Sequence, residues 1–311
     1  MIANFISVFI CTYNPNPDFL RRTVDGLLSQ DLSGELWELT IIDNNSTLSV
    51  SEIDFIKEKK VKVVVEKKQG LTAARGCAVN IAKGEILVFV DDDNILNKDY
   101  LTQVRNIFEL KELGIVSGAI FPEYVKSPEK WFYMYEEMIA IRRFTGENIL
   151  LNESSIYNNL FPIGAGLAIR KELIKSYYEE HLTTENYIEG RKGEDLSSGE
   201  DLDLDFYALN KLYKIGIYPK LILTHIIPEV RITTSYIAKL AKSSLKSSLL
   251  LNKKWGKVFK HNVFEGFELS NGALFLRILF NGVLAPFNKS KYIRYNLLKE
   301  LLKLKRTNLY D

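Results

Sequence analysis

The first half of the chain alternates between short apolar runs and longer segments that mix apolar and polar positions. The run FISVFI (5–10) is almost continuously apolar, which suits a strand buried on both faces of a parallel sheet. Similar runs follow at LTII (39–42), VKVVVE (61–66), EILVFV (85–90) and GIVSGAI (114–120). Because helix-like segments separate them, the pattern predicts βαβ units and a mainly parallel α/β sheet flanked by helices.

Several of the intervening segments carry signals for the ends of helices. Pro17 opens a helix that we expect to run through Gln30, because proline is favoured in the first helical turn. Segment LTAARGCAVNIAKG (71–84) predicts a helix closed by Gly84, and another helix begins near Lys98. Such helices return the chain to the start of the next strand, as parallel pairing requires.

The pattern becomes less regular after residue 130. The later segments predict a helix, a strand, a polar loop and a second strand, in the order WFYMYEEM (131–138), FPIGAGLAI (161–169), YIEGRKGEDLSSGED (187–201) and IYPKLILTH (217–225). A helical, basic pattern begins at Ile232. We therefore expect an α/β domain over residues 1–230 and a helical C-terminal extension over residues 231–311.

Charge separates the same two parts of the chain. Residues 231–311 hold 16 Lys/Arg against 4 Asp/Glu, whereas residues 1–230 hold 25 against 35, although the whole chain carries only +2. The most apolar stretch of the extension, 272–287, is interrupted by Arg277 and Asn281, so it does not predict a membrane-spanning helix. It predicts either peripheral contact with an anionic membrane or a helical cap or dimer contact.

The overall composition is that of a globular protein, with 46% hydrophobic and 26% charged residues. Cys11 and Cys77 lack the spacing of a zinc or redox motif, so we expect free thiols in a reducing cytoplasm. The N-terminal run MIANFISVFICTYN lacks a basic start and a small-residue cleavage site, so we interpret it as a first buried strand instead of a signal peptide.

Polar side chains gather where the predicted strands end. The three clusters are Thr12-Tyr13-Asn14, Asp43-Asn44-Asn45-Ser46 and Asp91-Asp92-Asp93-Asn94. Any one of them could form a turn, since Asn and Asp favour turns. In an open α/β sheet, however, the carboxyl ends of the strands meet in one crevice where ligands bind. We therefore expect the three clusters to share a ligand site.

Three adjacent carboxylates in that crevice predict a divalent cation. Mg²⁺ or Mn²⁺ is commonly held between carboxylates and substrate phosphates, where it neutralises a departing diphosphate. The sequence has no GxxxxGK[ST] loop, which argues against P-loop chemistry. The GxG in IGAGLA (163–168) lies too late in the chain for a dinucleotide site.

Four motifs together resemble family 2 glycosyltransferases with a GT-A fold. They are SVFICTYNPN (7–16), LTIIDNNST (39–47), GLTAARGCAVNIAKGEILVFVDDDN (70–94) and GEDLDL (199–204). The resemblance covers roughly the first 230 residues in the family's order. One departure is Gly76, which stands after Arg75 where the family usually has asparagine. The departure puts in doubt a side-chain role at residue 76 and leaves Arg75 in place.

The resemblance implies a nucleotide-sugar donor, with UDP the commonest nucleotide. It implies that the residues along the nucleotide, ribose and sugar are Thr12, Tyr13, Asn14, Asp43, Arg75, Asp91 and Asp92. It also implies that Asp93 binds the Mn²⁺ or Mg²⁺ and that His225 completes the metal site. For Asp43 a turn or helix cap, for Arg75 a surface helix charge, and for His225 a structural role are the alternatives.

The resemblance further implies an inverting transfer, in which a carboxylate takes the proton of the acceptor hydroxyl. The family's Glu-Asp pair at a helix start occurs twice here, because GEDL stands at 193–196 and again at 199–202. The second copy leads into a helical apolar stripe that Ser197 or Ser198 could cap. We therefore predict Asp201 as the base, with Glu200 beside it on the acceptor side, and keep Asp195 as an alternative.

Gly164 and Gly166 precede a strand that resembles the family's acceptor-side strand. Small residues there let a sugar approach the backbone, although close sheet packing would also explain them. We interpret the neighbouring aromatic residues of 131–138 as core. The acceptor is expected to be a saccharide or a lipid-linked saccharide, with no nucleic acid involved, in the cytoplasm or at the inner membrane face. The alternatives are a nucleotidyltransferase of the same fold and a non-catalytic saccharide-binding protein.

Overall fold

The computed structural model describes residues 4–152, 160–181, 188, 190–193, 196–259 and 269–306. Within these ranges one sheet contains β1 (Ile6–Thr12), β2 (Trp37–Asp43), β3 (Lys62–Val65), β4 (Ile86–Val90), β5 (Asn94–Leu96), β6 (Leu113–Tyr124), β7 (Ile149–Leu151), β8 (Leu167–Arg170) and β9 (Lys214–Ile227). The α-helices are α1 (Pro17–Leu28), α2 (Asp54–Lys59), α3 (Leu71–Ile81), α4 (Tyr100–Ile107), α5 (Lys171–His181), α6 (Glu200–Asn210), α7 (Thr234–Phe259), α8 (Asn271–Leu284) and α9 (Lys289–Arg306). Short 3-10 helices lie at Gly34–Leu36, Val50–Glu52, Lys130–Ile139 and Glu229–Ile232.

The sheet confirms the predicted α/β class. Its strand order is β3-β2-β1-β4-β8-β6-β9-β5, and β7 pairs with β9. The pairs β1–β2, β1–β4, β2–β3 and β6–β9 are parallel, whereas β8 is antiparallel to both of its neighbours. Strands β5 and β7 are antiparallel to β9. The sheet is therefore parallel at one end and mixed at the other. The apolar runs do not predict this division, because an apolar run indicates a strand but not its direction.

Strand β1 is mostly apolar because helices cover both faces of the sheet. On one face Val8 and Ile10 pack in a core cluster with Leu20 of α1, and on the other Phe9 packs with Ala78 of α3. All of these side chains are buried. This two-sided burial fixes the strand ends, and with them the polar clusters, in one place.

The structure corrects the expected end of α3. The helix ends at Ile81, so Gly84 does not cap it. Gly84 instead lies against β1, where a Cβ atom would stand 2.5 Å from the Phe5 carbonyl oxygen and 2.6 Å from Ser7 N. A residue with a side chain would push that contact apart. The glycine is therefore required by a close approach of two backbone segments.

The later elements also differ from the sequence prediction. In segment 161–169 only Leu167 onward is strand, and segment 131–138 forms a 3-10 helix in place of an α-helix. Gly199 occupies the N-cap position of α6 without a side-chain hydrogen bond, so neither predicted serine caps this helix. The aromatic segment is only partly core, since Phe132 is buried but 49% of Tyr133 is exposed.

The C-terminal extension is helical, as expected. Helix α7 joins it to the body, since Ile237 and Trp255 of α7 belong to the two main core clusters. A third cluster links α7, α8 and α9 through Leu245, Leu274 and Leu301. No helix in the described ranges is both long and apolar enough to cross a bilayer. The division of the chain at residue 230 stays a prediction.

Candidate active site

A cleft of about 610 Å³ opens where β1 and β4 end, facing the first turn of α6. Most of the predicted site residues line it, namely Thr12, Tyr13, Arg75, Asp91, Asp92, Asp93, Gly164, Glu200, Asp201 and His225. The sheet therefore brings together residues that are separated by more than two hundred positions in the sequence. Asn14, Asp43 and Gly166 lie outside this lining.

The pairing of β5 with β9 sets Asp93 beside His225. The register of the two strands places His225 opposite Asn94, and the Ile226 N–H donates to the Asp93 carbonyl at 2.8 Å. His225 Nε2 lies 3.4 Å from Asp93 Oδ1, and both side chains are buried. Backbone pairing therefore holds the carboxylate and the imidazole together.

The guanidinium of Arg231 lies against this pair. Its Nη2 is 3.0 Å from Asp93 Oδ2, and its Nη1 is 2.9 Å from His225 Nε2. His225 Nε2 therefore lies between the Asp93 carboxylate and the Arg231 guanidinium. Burial alone would raise the pKa of Asp93, but the neighbouring His225 and Arg231 outweigh it and hold that pKa below its usual range.

Asp93 and His225 fit a divalent metal whose remaining ligands come from elsewhere. At phosphate sites such a metal takes one or two protein groups, with substrate phosphates and water as its other ligands. In the described ranges no cluster of three or more His, Cys, Asp or Glu side chains could hold a metal. The two side chains already converge on a cationic group, that of Arg231. A metal bound there would displace this contact.

Asp92 differs from Asp93 in its surroundings. The Thr12 hydroxyl donates a hydrogen bond to Asp92 Oδ2. Burial and the charge of Asp93 raise the pKa of Asp92 to about 7, although the hydrogen bond from Thr12 lowers it. Asp91 is half-buried in the cleft lining. The three aspartates are therefore chemically distinct, and among the described residues only Asp93 of the three forms an ion pair with an arginine.

Asp201 and Glu200 begin α6 and face different groups. The Gly164 N–H donates to Asp201 Oδ2 at 3.1 Å, and the Leu202 N–H lies 3.0 Å from Asp201 Oδ1. These contacts orient the Asp201 carboxylate at the cleft. Glu200 turns toward Arg75, with its Oε1 3.5 Å from Arg75 Nη1.

Arg75 is buried in the cleft between Phe89, Gly164 and Glu200. Its side chain is buried, and the guanidinium carbon lies 5.3 Å from the centre of the Phe89 ring. A Cβ atom on Gly164 would stand 2.7 Å from Arg75 Nη2, so the glycine lets this arginine approach the backbone at residue 164. Burial and the charge of Asp201 raise the pKa of Glu200, and Arg75 opposes them. Arg75 is therefore a buried charge and not a surface one.

Asp43 and Asn14 stabilise the turn that follows β2. Asp43 Oδ1 accepts from the Ser46 N–H and Oδ2 from the Val50 N–H, each at 2.9 Å. Asn14 has a φ of 49° and its side-chain oxygen accepts from the Thr47 N–H at 2.8 Å. These contacts match the turn alternative for Asp43. A nucleotide contact by either residue stays a prediction.

Gly166 serves packing. Its φ is +69°, and a Cβ atom would stand 2.6 Å from the Tyr100 hydroxyl oxygen, which donates to the Gly166 carbonyl. Gly164, in contrast, lies in the cleft. The alternative base Asp195 lies outside the described residues, whereas Asp201 lies in the cleft.

Three arginines that line the cleft, Arg142, Arg191 and Arg231, were not among the residues predicted from the sequence. Arg231 lies just past the expected domain end at residue 230, although it contacts Asp93 and His225. Arg191, two residues before the first GEDL copy, also lines the cleft. The signal for Arg231 was its spacing of six residues from His225, which points to a shared site only once the 3-10 helix at Glu229–Ile232 is known.

The fold and the cleft define a GT-A glycosyltransferase. The structure superposes on a mannosyltransferase from Pyrobaculum calidifontis, in complex with GDP-Man and Mn²⁺, with a TM-score of 0.61 and 16% identity. The match covers 100% of this chain and 88% of that one. The sequence model of glycosyl transferase family 2 matches residues 7–178, and the chain belongs to that family. The predicted family and fold class are thus confirmed.

Two relatives show how far the likeness extends. The poly(ribitol-phosphate) beta-glucosyltransferase of Bacillus spizizenii is 31% identical over 122 residues, which are 37% of this chain and 19% of the relative. WfaP of Escherichia coli, a UDP-Glc:alpha-D-GlcNAc-diphosphoundecaprenol beta-1,3-glucosyltransferase, is 24% identical over 199 residues, which are 57% of this chain and 77% of the relative. This chain therefore spans about a fifth of the first relative and about three quarters of the second.

Proposed function

We propose that this protein transfers a sugar, with inversion, from a nucleotide diphosphate donor to a hydroxyl of a saccharide or lipid-linked saccharide. The observation that carries the proposal is that one cleft contains both a candidate cation site and an oriented carboxylate. Asp93 and His225 offer a cation site suited to a diphosphate, and Asp201 presents an oriented carboxylate to the same space. A saccharide-binding protein without activity would not need both.

In this mechanism Asp201 acts as the general base. The acceptor oxygen attacks the anomeric carbon from the side opposite the diphosphate, and its proton passes to the Asp201 carboxylate. The new bond joins the acceptor oxygen to that carbon, while the bond from the carbon to the phosphate oxygen breaks. The nucleoside diphosphate leaves with the negative charge. The hydrogen bond from the Gly164 N–H holds the carboxylate in position for this step.

At the other end of the cleft, a bound metal and Arg231 would stabilise the leaving diphosphate. Asp93 and His225 would hold Mn²⁺ or Mg²⁺, which supplies charge neutralisation for the leaving diphosphate. Arg231, released from Asp93 by the metal, would lie next to the diphosphate oxygens. Thr12, Tyr13, Asp91 and Asp92 would line the nucleotide and sugar. The mannosyltransferase complex with Mn²⁺ and GDP-Man supports a metal and a nucleotide sugar of this kind.

The donor nucleotide is proposed to be UDP, and the acceptor to carry a saccharide. WfaP, a relative over 57% of this chain, uses UDP-Glc and an acceptor linked to diphosphoundecaprenol. A nucleotidyltransferase is less well supported, because the loop TYNPNPD (12–18) after β1 is neither glycine-rich nor basic. We therefore propose a role in the synthesis of surface polysaccharides or glycoconjugates, in line with the relatives named above.

Helix α8 supports contact with a membrane. Its outward residues are large, apolar and exposed, namely Phe275, Leu276, Leu279, Phe280 and Val283, and Phe287 follows the helix. Among its polar residues, Asn281 is buried and donates to the Arg277 carbonyl at 2.7 Å, while Arg277 is exposed. The surrounding extension is strongly basic. We therefore propose that this face lies on an anionic bilayer at the cytoplasmic side.

Turnover of a donor panel tests the catalytic proposal. UDP-Glc, UDP-GlcNAc and GDP-Man would be incubated with Mn²⁺ and saccharide acceptors, and released nucleotide and product anomer would be measured. We expect Asp201→Asn to lower kcat by about 10² to 10⁴. The exposed Asp54→Asn serves as a matched control and should leave kcat unchanged. Absence of turnover with every donor, or retention of the anomeric configuration, would contradict the proposal.

A further inference from the structure

A second cavity, of about 420 Å³, lies beside the cleft among the C-terminal helices. Its lining is mostly apolar and comes from the 3-10 helix at Lys130–Ile139, α7, α8 and α9. The lining includes Met138, Ala241, Ser244, Ser248, Arg277 and Arg294. The volume lies within the range of small-molecule sites.

The cavity shares part of its lining with the catalytic cleft. Met138, Ser244 and Ser248 line both spaces. Ser244 and Ser248 are one turn apart on α7, so this helix forms a shared wall with small side chains. One molecule can therefore extend from the cleft into the cavity. The cleft end of such a molecule would be polar and its cavity end apolar.

The charged side chains that line the cavity are positive. Arg277 of α8 and Arg294 of α9 line it, both are exposed, and its described lining contains no Asp or Glu. Neither guanidinium forms an ion pair with another described residue. Apolar walls with two arginines match an amphiphile with an anionic group, since guanidinium groups bind phosphate through paired hydrogen bonds.

We propose that this cavity binds the lipid phosphate part of a lipid-linked saccharide acceptor. The apolar walls take the first part of the hydrocarbon chain, Arg277 and Arg294 contact the phosphate, and the saccharide extends past Ser244 and Ser248 toward Asp201. This inference rests on the proposed function and specifies its acceptor. The exposed face of α8 is on the same helix as Arg277, so a lipid can reach the cavity from the bilayer on which α8 lies.

Binding without turnover tests the cavity directly. Octyl phosphate and 1-octanol, below their aggregation concentrations, would be titrated into the full chain by calorimetry. We expect octyl phosphate to bind, each buried methylene contributing roughly fourfold to affinity. The double variant Arg277→Gln/Arg294→Gln should weaken octyl phosphate about tenfold and leave 1-octanol unchanged. Arg306→Gln, exposed on α9 outside the lining, is the matched control and should change neither.

Two further variants separate the cavity from the outer face of α8. Ala241→Phe fills the cavity and should abolish binding of octyl phosphate. The smaller Ala241→Leu, which replaces this variant if the phenylalanine prevents folding, should weaken binding. Leu276→Gln alters only the exposed face and should leave octyl phosphate binding intact. Loss of binding in Leu276→Gln together with normal binding in Ala241→Leu would overturn the proposal.

Transfer kinetics distinguish failure of this inference from failure of the proposed function. With a saccharide bearing an octyl phosphate, KM should be at least tenfold lower than with the free saccharide. The Arg277→Gln/Arg294→Gln variant should remove that difference without altering donor hydrolysis. Equal KM values with an active enzyme would overturn the lipid site and leave the transferase proposal standing. Absence of turnover would contradict the transferase proposal, and calorimetry would still report on the cavity.

Discussion

At the scale of single residues, two buried aspartates, one in the cleft and one on α6 outside its lining, differ in how their charge is compensated. Asp93 is neutralised by Arg231 and lies beside His225, whereas Asp205, one turn after Asp201 on α6, is buried without compensation. Neither side-chain oxygen of Asp205 has a hydrogen-bond partner in the described ranges. Burial, together with the charge of Asp201, raises the pKa of Asp205 well above its usual range. The folded chain is therefore most stable when Asp205 is protonated.

This makes stability depend on pH in a definite direction. Folded Asp205 keeps its proton at pH values where the unfolded chain has lost it, so the folded state binds more protons. Stability should then fall as pH rises from about 4 toward the folded pKa. We expect the Tm of Asp205→Asn, relative to the original chain, to rise as the pH increases from about 4 toward the folded pKa of Asp205. Differential scanning fluorimetry across this range would show it. A difference independent of pH, like that expected for exposed Asp54→Asn, would contradict the shift.

Arg231 should compete with a metal for Asp93 and His225. Because its guanidinium already contacts both side chains, Mn²⁺ must displace it. We expect Mn²⁺ alone to raise Tm, Asp93→Asn to abolish that increase, and Arg231→Gln to tighten Mn²⁺ binding by about tenfold, equivalent to about 1.4 kcal/mol. Calorimetric titration without donor measures this. Arg22→Gln, which breaks a surface pair with Glu123, is the control. Weaker Mn²⁺ binding in Arg231→Gln would contradict the competition.

At the scale of secondary-structure elements, the sequence predicts one half of the site better than the other. Asp91–Asp93 follow a visible apolar run, so their place at a strand end needs only local pattern. The contact between Asp93 and His225 depends on β5, a strand of three residues with no distinctive signal, and on its register with β9. Arg231 depends on the 3-10 helix that follows β9. The antiparallel placement of β8 is likewise a tertiary outcome that apolar runs do not encode.

The pairing of β6 with β9 contains an irregularity that requires a glycine. The register shifts between Gly118 and Ala119, and a Cβ atom on Gly118 would stand 1.9 Å from the Leu221 carbonyl oxygen. Since that oxygen belongs to the backbone, Gly118→Ala must displace one of the two strands. We expect a loss of at least about 3 kcal/mol in the free energy of unfolding, measured by urea denaturation. At Gly34, where a Cβ atom meets nothing within 4 Å, the same substitution should cost little. Equal effects at both sites would contradict this account.

At the scale of the whole molecule, charge and apolar surface lie in the same part of the chain. Residues 231–311 carry an excess of Lys/Arg, with 16 against 4 Asp/Glu, and α8 exposes Phe275, Leu276 and Phe280 there. Residues 1–230 carry the opposite excess. An anionic surface would attract the extension and repel the acidic body. The molecule should therefore approach a membrane with its extension first, which also presents the apolar cavity to the lipid.

Vesicle binding tests this orientation. We expect the protein to sediment with vesicles containing 30 mol% phosphatidylglycerol, but weakly with pure phosphatidylcholine, about 1 kcal/mol being contributed by each basic side chain near the surface. Raising the salt from about 0.1 to 1 M shortens the Debye length from about 10 to 3 Å and should weaken binding. Leu276→Gln/Phe280→Gln should also weaken it, whereas Leu48→Gln, an equally exposed apolar residue of the body, should not. If instead the same double variant abolishes a dimer seen by sedimentation velocity and leaves vesicle binding unchanged, α8 is a contact between two copies of the chain and the membrane proposal is wrong.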